Sequence, residues 1–355
     1  MGQHPLDEQD LRPRVQKALD AFVDEQIPTL DSISADLLPL TDALVELISG
    51  GKRLRPAFCY WGYRGAGGAD NDGIIVAAAA LELFQACALI HDDVMDGSDT
   101  RRGKPAVHRR FASLHRSESW LGDPEVFGMG AAVLLGDLCL AWSDEMLSKS
   151  GLPADRLLDA HRVYDEMRTE LMGGQYLDLL EQARGGGSVE RALRVARYKS
   201  AKYTIEKPLH LGAVLAGAAP RLLEAYTSYG LPLGEAFQLR DDVLGVFGDP
   251  SMTGKPAGDD LREGKRTALI AMALETADQA QTATVRRHLG DPHLGADGVE
   301  ALRDVIRGTG ALARVETLIE RLLHEALAAL EAAELADDAR SVLQELAVAA
   351  TARSV

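Results

Sequence analysis

The sequence predicts an all-α protein, and three observations support that fold class. Apolar residues recur at helical spacing along almost the whole chain, without the persistent alternation that is typical of strands. Aromatic residues make up only 5% of the 355 residues, whereas Ala and Leu dominate long stretches, which favours helix over strand. Segments such as 74–90 and 129–141 are apolar on nearly every face, as expected for helices in the middle of a large bundle.

The apolar spacing predicts a series of long helices separated by short loops. The helices are predicted at Leu11–Glu25, Asp31–Ser49, Ile74–Met95, Phe127–Ser148, Pro153–Gln182, Val189–Leu215, Leu222–Val246, Thr267–Glu275 and Ala311–Ala333. Gly, Pro and Asp predict loops at 50–56, 64–73, 117–123, 184–188 and 248–260. Because no linker-like change in composition and no internal repeat occurs, we predict one helical domain over residues 1–355.

The charge and the cysteines bear on partners and location. A formal net charge of −16 repels nucleic acids and anionic membranes, although divalent cations could still hold an anionic substrate. No secretory signal pattern is recognised, and the apolar run 74–84 is too short to span a bilayer, so no stable membrane insertion is expected. Cys59, Cys87 and Cys139 lie far apart without a CxxC spacing, which fits a reducing cytoplasm.

A cluster of aspartates ends one of the most apolar helices. In the segment HDDVMD, Asp92 and Asp96 are four residues apart and therefore share a helical face, whereas Asp93 points elsewhere. Neighbouring carboxylates at a helix C-terminus repel each other and oppose the helix dipole, so we expect cations there. The motif alone is short enough to arise by chance, and a solvated acidic turn is the alternative interpretation.

A second cluster strengthens the metal interpretation. The segment FQLRDDVLG places Asp241 and Asp242 at the end of another long apolar helix, and GKPAGDDLREGKRT follows with further aspartates and basic residues. Two such helix ends suggest metal sites around a polyphosphate. Mg²⁺ fits best, because it prefers oxygen ligands and is usually bound by a few carboxylates together with substrate phosphates.

Basic residues accompany both clusters. The segment GGKRLRP carries Lys52, Arg53 and Arg55 at a predicted helix start, where backbone N–H groups also favour anions. Arg101 and Arg102 follow the first aspartates, and arginine side chains bind phosphate oxygens in a bidentate manner. We interpret Lys52 and Arg55 as an anion site, with a basic surface patch as the alternative.

Taken together, these motifs resemble the trans-prenyl diphosphate synthases, the family of farnesyl, geranylgeranyl and longer polyprenyl diphosphate synthases. GGKRLRP, HDDVMD with RRG, GQYLD, KSAKYT, FQLRDDVLG and GKRT occur in the family's order from about Ile48 to Thr267. Within this family, the motifs most resemble those of bacterial geranylgeranyl diphosphate synthases. The resemblance implies one large helical bundle of the terpenoid synthase type with a central active-site cavity, and a homodimer.

The resemblance also implies a reaction and a set of site residues. An allylic diphosphate would ionise with the help of Mg²⁺, up to about three ions, and isopentenyl diphosphate would attack the cation. Isopentenyl diphosphate would be held by Lys52, Arg55, Gln85 and Arg102. The allylic diphosphate would be held by Arg101, Lys199, Gln238, Lys255 and Lys265. The metal ligands would be Asp92, Asp96 and Asp241, with Asp260 acting through water and with Gln175 and Asp178 orienting the ligands.

Two positions depart from the family pattern. Gly245 stands where many members carry a third aspartate, which would loosen a metal site and makes a noncatalytic subunit conceivable. The family's Lys-Thr pair reads KSAKYT, in which we align Lys199 and Ser200, while Lys202 and Thr204 stay open as alternatives.

Product length follows from the residues that precede the first aspartates. Cys87 and Ala88 lie about one helical turn before Asp92 and are small, so the aromatic floor of farnesyl synthases is absent from these positions. Phe84 and Leu83, one turn further back, could form a lower floor. We therefore expect geranylgeranyl diphosphate, with longer polyprenyl products as the alternative.

Two other functions compete with this interpretation. A type I terpene cyclase also uses DDxxD and Mg²⁺, but it ionises one diphosphate and would make GGKRLRP and RRG redundant. A regulatory subunit of a heteromeric prenyltransferase fits Gly245 but not the intact Asp92, Asp96 and Asp241.

Overall fold

The computed structural model describes residues 9–185, 187–248 and 258–352. Over these residues the chain is almost entirely helical, which confirms the predicted all-α class. The chain divides into two compact units, 1–160 with 212–217, and 161–211 with 218–355. The single domain over 1–355 stays a prediction.

The first unit is built from six helices, the beginning of a seventh and one small hairpin. These elements are α1 (Leu11–Ile33), a 3₁₀ turn (Ala35–Leu37), α2 (Leu38–Ile48), α3 (Leu54–Gly65), α4 (Asp72–Asp96), β1 (Thr100–Arg101), β2 (Lys104–Pro105), α5 (Val107–Ser117), α6 (Pro124–Ser148) and the start of α7 (Ala154–Arg184).

The second unit contains the rest of α7 and the helices that follow it. These elements are α8 (Val189–Val195), a π-helix (Ala196–Glu206), α9 (Lys207–Ala216), α10 (Pro220–Phe247), α11 (Asp259–Arg262), α12 (Ala268–Thr276), α13 (Gln279–His288), α14 (Ala296–Gly308), α15 (Ala311–Ala332) and α16 (Asp337–Thr351). The end of α9, residues 212–217, groups with the first unit.

Several predicted boundaries were wrong. The predicted start of a helix at Asp31 is wrong, because α1 continues through Pro28 to Ile33 before the chain turns. The predicted helix Val189–Leu215 is divided by the π-helix. The loop predicted at 50–56 already contains the first turn of α3. Helices α3, α5, α11, α13, α14 and α16 were not predicted; each spans at most 15 residues, so its apolar period covers only a few turns.

Helix α4 is the central element of the first unit. The side chain of Asn71 accepts a hydrogen bond from the N–H of Ile74 at 3.1 Å, which caps the start of α4. Gly97, with φ 67°, ends the helix in the left-handed conformation. Most residues between these ends are buried, so α4 fixes its terminal aspartates to a rigid, apolar body.

Helix α6 packs closely against its neighbours because it carries glycine at two contacts. A Cβ at Gly128 would lie 2.9 Å from the backbone N of Ala112 on α5. A Cβ at Gly136 would lie 2.9 Å from Cε1 of His91 on α4, and closer still to other atoms of that ring. Larger residues at either position would therefore separate α6 from the helices beside it.

Helices α4 and α6 are, among the described residues, long and apolar enough to cross a membrane. The run 74–84 lies within a helix of 25 residues, so the expectation that it is too short to span a bilayer was wrong about length. The apolar stretch of α4 is 72% buried and that of α6 is 39% buried. Burial, rather than length, therefore argues against a membrane span for α4.

In the second unit, the π-helix lies between glycines of α7 and α10. A Cβ at Gly174 of α7 would lie 2.6 Å from the carbonyl carbon of Tyr198, and a Cβ at Gly234 of α10 would lie 2.6 Å from Cα of Ala201. Because a π-helix is wider than an α-helix, its neighbours must offer bare backbone at the contact. These two glycines provide that space.

Helix α10 is held in place along its length by the helices that follow it. Arg240 donates two hydrogen bonds of 2.6 Å to the carboxylate of Glu316 on α15. The hydroxyl of Tyr229 donates to the carbonyl oxygen of Leu343 on α16 at 2.7 Å. The end of α10, which carries Asp241 and Asp242, is therefore fixed in the second unit.

A buried network of charges joins α7 to the π-helix and α9. Lys202 forms an ion pair with Glu170, and Lys207 lies 2.8 Å from Glu166 and 3.5 Å from Glu170. Lys207 is only 4% exposed, so the loss of both carboxylates would leave a buried charge uncompensated.

His210 lies next to this network and is kept neutral chiefly by its burial. Its Nε2 is 3.1 Å from the carbonyl oxygen of Leu223 and 3.0 Å from the hydroxyl of Thr227. The pKa of His210 is lowered to about 4, chiefly by burial and further by the positive charge of Lys207, with smaller opposing contributions from the Leu223 carbonyl and from Glu166.

The lowered pKa of His210 predicts a specific loss of stability in acid. Its ordinary value is 6.5, so the unfolded chain takes up a proton below about pH 6.5 while the folded protein does not until about pH 4. His210→Gln should remove this dependence. As the pH is lowered from about 6.5 to about 4, the unfolding free energy of the wild type should therefore fall relative to that of the variant by up to about 3 kcal/mol. Urea unfolding at several pH values measures it. The exposed control His293→Gln should behave as wild type, and parallel curves for His210→Gln and wild type would contradict the assignment.

Candidate active site

The segment GGKRLRP lies between α2 and α3 and is held by Arg53. Arg53 adopts φ 54° immediately before α3 and is 4% exposed. Its guanidinium forms an ion pair with Glu82 of α4 and also donates to the side chain of Gln16 and to the carbonyl oxygen of Ile48. Arg53 therefore attaches the segment to α4 and leaves the anion role to its neighbours.

Three of the residues predicted to bind isopentenyl diphosphate lie around this segment. Arg55 donates a hydrogen bond to the side-chain oxygen of Gln85 on α4, so the structure brings these two together. Arg102 donates to the carbonyl oxygen of Leu47 at 2.9 Å, and its guanidinium comes within 3.2 Å of where a Cβ of Gly51 would lie. Lys52, the fourth predicted residue, belongs to the same exposed loop between α2 and α3.

Arg101 and Arg102 are placed by the hairpin of β1 and β2. Arg101 pairs with Lys104, and the two residues between them, Arg102 and Gly103, have φ values of 54° and 75°. Positive φ at both central residues is typical of the two-residue turns that join antiparallel strands. The turn directs two consecutive arginines into the site from one short segment.

The guanidinium groups form a positively charged cluster. Burial lowers the pKa of Arg102; Glu82 opposes that effect, and the charges of Arg53, Arg101 and Arg55 add to it. Several cations in each other's field, within an acidic chain, are stabilised by a bound polyanion. The cluster therefore fits a diphosphate.

The first aspartates occupy the last turn of α4. Arg101 donates from Nε to both carboxylate oxygens of Asp93, at 3.0 and 3.2 Å, and its Nη2 lies 3.6 Å from Asp92. The side chain of Asp93 is buried, which agrees with the prediction that it points away from the helical face shared by Asp92 and Asp96. Sequence reasoning gave Asp93 no role, and the structure shows that it anchors Arg101.

His91 is engaged with α6. Its Nε2 lies 3.2 Å from the carbonyl oxygen of Val133 and 3.7 Å from a carboxylate oxygen of Asp137, while Nδ1 lies 3.7 Å from the sulfur of Cys87. These contacts support a structural role for His91 in the packing of α4 against α6.

The second aspartates lie at the end of α10. Asp242 is buried and accepts a hydrogen bond of 2.7 Å from the side-chain nitrogen of Gln238. The pKa of Asp242 is raised to about 7, chiefly by burial; the bond from Gln238 opposes that rise, and the negative charges of Asp260 and Asp241 add to it. A buried carboxyl group whose pKa is raised by neighbouring carboxylates marks a place where a cation would be stabilised.

Asp260 and Lys265 lie next to each other beyond α10. Nζ of Lys265 is 3.6 Å from Asp260 and 2.9 Å from Glu263. Glu263 was not predicted as a site residue, although it lies in the sequence between two predicted site residues, Asp260 and Lys265. Lys255, predicted to bind the allylic diphosphate, lies outside the described residues.

The two candidate lysines of KSAKYT have different partners. Nζ of Lys199 lies 2.6 Å from the carboxylate of Asp178, which belongs to the GQYLD segment of α7 together with Gln175. Lys202 pairs with Glu170 in the buried network, and Thr204 is buried as well. This arrangement supports Lys199 as the substrate-binding lysine.

The residues predicted to limit the prenyl chain lie on α4 below Asp92. Leu83, Phe84 and Cys87 are at most 2% exposed, and Ala88 is half-buried. Ala88 precedes Asp92 by four residues and shares its face of the helix. The wall next to Asp92 is therefore lined first by a small side chain and then by an aromatic one.

The residues present fit Mg²⁺. On α4, Asp92 and Asp96 offer carboxylates on one face, and both oxygens of Asp96 are shielded from bulk water. On α10, Asp241 lies beside the crowded carboxylates of Asp242 and Asp260. Oxygen donors in both places agree with the preference of Mg²⁺ for carboxylates shared with substrate phosphates.

Within the described part of the chain, helices that end in aspartates, together with the arginine cluster of the first unit, are typical of an enzyme of diphosphate chemistry, and comparison with known proteins agrees. The family model described as Polyprenyl synthetase matches residues 39–306. The geranylfarnesyl diphosphate synthase of Aeropyrum pernix is 33% identical over 304 residues, covering 83% of this chain and 87% of that protein. The geranylgeranyl diphosphate synthase of Mycobacterium tuberculosis is 33% identical over 283 residues, covering 79% and 75%.

A solved structure supports the same assignment. The geranylgeranyl pyrophosphate synthase of Corynebacterium glutamicum, complexed with isoprenyl diphosphate and magnesium, superposes with a TM-score of 0.94 at 42% identity, covering 100% of both chains. The chain therefore belongs to the polyprenyl synthetase family. It is a trans-prenyltransferase with the all-helical terpenoid synthase fold, which confirms the predicted fold and enzyme class.

Proposed function

We propose that this enzyme condenses isopentenyl diphosphate with an allylic diphosphate (dimethylallyl, geranyl or farnesyl) and that its main product is geranylgeranyl diphosphate. The observation that carries the proposal is the presence, within the first unit, of two sets of groups with opposite charge. The carboxylates of Asp92 and Asp96 suit metal ions, whereas the cluster around Arg55 and Arg102 suits a diphosphate directly. A cyclase, which ionises a single diphosphate, would need only the first set.

The metal-binding set would stabilise the leaving group. Asp92 and Asp96 on α4, Asp241 on α10, and Asp260 through water would hold up to about three Mg²⁺ ions. When bound, Mg²⁺ supplies Lewis-acid stabilisation of the charge that develops on the departing diphosphate. The Corynebacterium relative is complexed with magnesium and isoprenyl diphosphate, which supports this assignment.

Cationic side chains would complete the allylic site. Arg101, oriented by Asp93, would donate to phosphate oxygens next to Asp92. Lys199, Gln238, Lys255 and Lys265 would bind the same diphosphate. The charged donors among these would stabilise an oxyanion more strongly than the neutral amide of Gln238 would.

The second substrate, isopentenyl diphosphate, would be activated only by the position in which it is bound. Lys52, Arg55, Gln85 and Arg102 would hold its diphosphate, so that its double bond lies next to the allylic carbon. The allylic C–O bond breaks, the electrons of the double bond form the new C–C bond, and the neighbouring carbon loses a proton. We propose that the released diphosphate accepts this proton. Buried apolar side chains such as Phe84 would keep water away from the cation.

A homodimer is part of the proposal and is supported by the surface of α6. Large apolar side chains are exposed on α6 and on the segment before it, with Leu121 98% and Leu134 65% exposed. Val126, Phe127, Met129 and Val133 belong to the same exposed set. Apolar patches of this kind mark protein contacts, and a second copy of this chain is the occupant we propose. We also propose a cytoplasmic location, since the free cysteines Cys59, Cys87 and Cys139 are buried.

The competing functions are separated by one incubation with isopentenyl diphosphate, farnesyl diphosphate and Mg²⁺. Asp92→Ala and Asp241→Ala should each lose nearly all condensation activity, because each 1.36 kcal/mol of lost stabilisation costs about tenfold in rate. Chromatography of the products measures the loss, and the exposed control Asp24→Ala should keep wild-type activity. More than about a tenth of wild-type turnover in either variant at saturating Mg²⁺ would contradict the metal assignment. A hydrocarbon or terpene alcohol from the wild type would indicate a cyclase, and no turnover a regulatory subunit.

The basic cluster predicts an effect on one substrate only. Arg55→Ala should raise the KM for isopentenyl diphosphate by about tenfold or more while changing that of the allylic substrate little, because one charged hydrogen-bond donor is lost from one site. Steady-state kinetics with each substrate varied in turn tests this. Arg287→Ala, on the exposed face of α13, is the control. Equal increases for both substrates would mean that they share one anion site.

The wall of α4 predicts the product length. Ala88→Phe should shorten the main product, because an aromatic ring one turn from Asp92 blocks growth, and Phe84→Ala should lengthen it by removing the lower floor, one further turn of about 5.4 Å. Chromatography of the dephosphorylated products measures both. Phe58→Ala, an equally buried truncation on α3, controls for loss of stability and should leave the length unchanged. Unchanged lengths in both α4 variants would place the floor on another helix.

A further inference from the structure

The two aspartate segments of this chain differ at one position. Residues 92–96 read DDVMD and residues 241–245 read DDVLG. In the first segment Asp96 follows Asp92 by one helical turn and shares its face. In the second segment the equivalent position after Asp241 is Gly245, inside α10 and close to its end. Glycine disfavours a helix more than any residue except proline, so its presence there calls for a reason.

The structure provides that reason. A Cβ at Gly245 would lie 2.6 Å from Cγ of Asp260 and closer still to its Oδ2. The carboxylate of Asp260, which belongs to the short helix α11, thus occupies the space that a side chain at position 245 would fill. No side chain fits at position 245 while Asp260 keeps this position.

Asp260 is held where it is by its own surroundings. Its backbone carbonyl accepts a hydrogen bond from the N–H of Lys265 at 3.0 Å. The next residue, Leu261, is 1% exposed, and its carbonyl accepts from the N–H of Gly290 at 2.8 Å. The main chain at Asp260 is therefore fixed, and only its side-chain torsions could move the carboxylate away from Gly245.

We propose that Gly245 is a positioning residue: the space left by its missing side chain admits the carboxylate of Asp260 to the face of α10 beside Asp241. The proposed function assigns Asp260 to the metal through water, and Gly245 is what allows its carboxylate to reach that place. This inference rests on the proposed function for its metal. It explains Gly245 as a compensated position rather than as a lost ligand.

The test exchanges the two positions. The set of variants is Gly245→Ala, Asp260→Ala, the double variant with both alanines, and the exchange Gly245→Asp with Asp260→Ala. Thermal unfolding is followed while MgCl₂ is titrated in the presence of inorganic diphosphate, and the Mg²⁺ concentration at half-maximal stabilisation is the readout. Gly173→Ala is the matched control, because a Cβ at this exposed helical glycine of α7 would contact nothing within 4 Å.

Gly245→Ala and Asp260→Ala should each raise that concentration about 10-fold to 100-fold, the first by displacing the carboxylate and the second by removing it. The double variant should be no worse than either single variant, because one carboxylate is lost in all three. The exchange variant should return to within about threefold of wild type, and Gly173→Ala should match wild type.

Three results would overturn the proposal: a wild-type Mg²⁺ requirement in Gly245→Ala, additive losses in the double variant, or an exchange variant no better than Asp260→Ala. If Gly245→Ala does not fold, the double variant should still fold, because the steric conflict is absent from it. If neither of these two variants folds although Asp260→Ala does, the proposal is overturned as well. The titration needs no turnover, so the proposed reaction can fail in the product assay while this result stands.

Discussion

The buried ion pair between Arg53 and Glu82 is the interaction on which the site of the first unit depends. Removing one partner of such a pair typically costs about 3–5 kcal/mol, since the other charge is left buried and uncompensated. The pair attaches the segment before α3 to the middle of α4. Arg55 meets Gln85 less than one turn further along the same helix, and Asp92 follows at its end. Helix α4 therefore positions both the basic and the acidic groups of this unit.

The acidic groups impose a second constraint. The chain carries a formal charge of −16, and its most buried aspartates lie beside other carboxylates. Asp93 is compensated by Arg101 within the protein, whereas Asp242 is compensated only in part by Gln238. A cation that binds the folded chain alone would add to its stability by mass action. The metal ion proposed for Asp241, next to Asp242, would therefore couple its own binding to folding.

The features that could be predicted from the sequence are those that depend on residues close together in the chain. Helical spacing identified α4, α6 and α10, and the aspartate motifs marked two of their ends. The loop predicted at GGKRLRP was partly wrong, because glycines and charges concealed the start of α3, where Pro56 in the first turn is harmless to the helix. What could not be predicted depends on partners that are distant in sequence: Glu82 for Arg53, and Asp260 for Gly245.

The π-helix shows the same limit, and it also has a consequence for the chain around it. Gly174 and Gly234, on different helices, make room for the wide backbone of Ala196–Glu206, and no pattern within those residues reveals it. Each residue of an α-helix turns the chain by about 100°. A π-helix closes its hydrogen bonds over five residues rather than four, so each of its residues turns the chain by less than an α-helical residue does. If the segment kept its length and relaxed to ordinary α-helix, α9 would therefore rotate relative to α8. Lys207 and His210 would then leave their polar partners for new surroundings, so the winding of this segment decides which groups those two side chains meet.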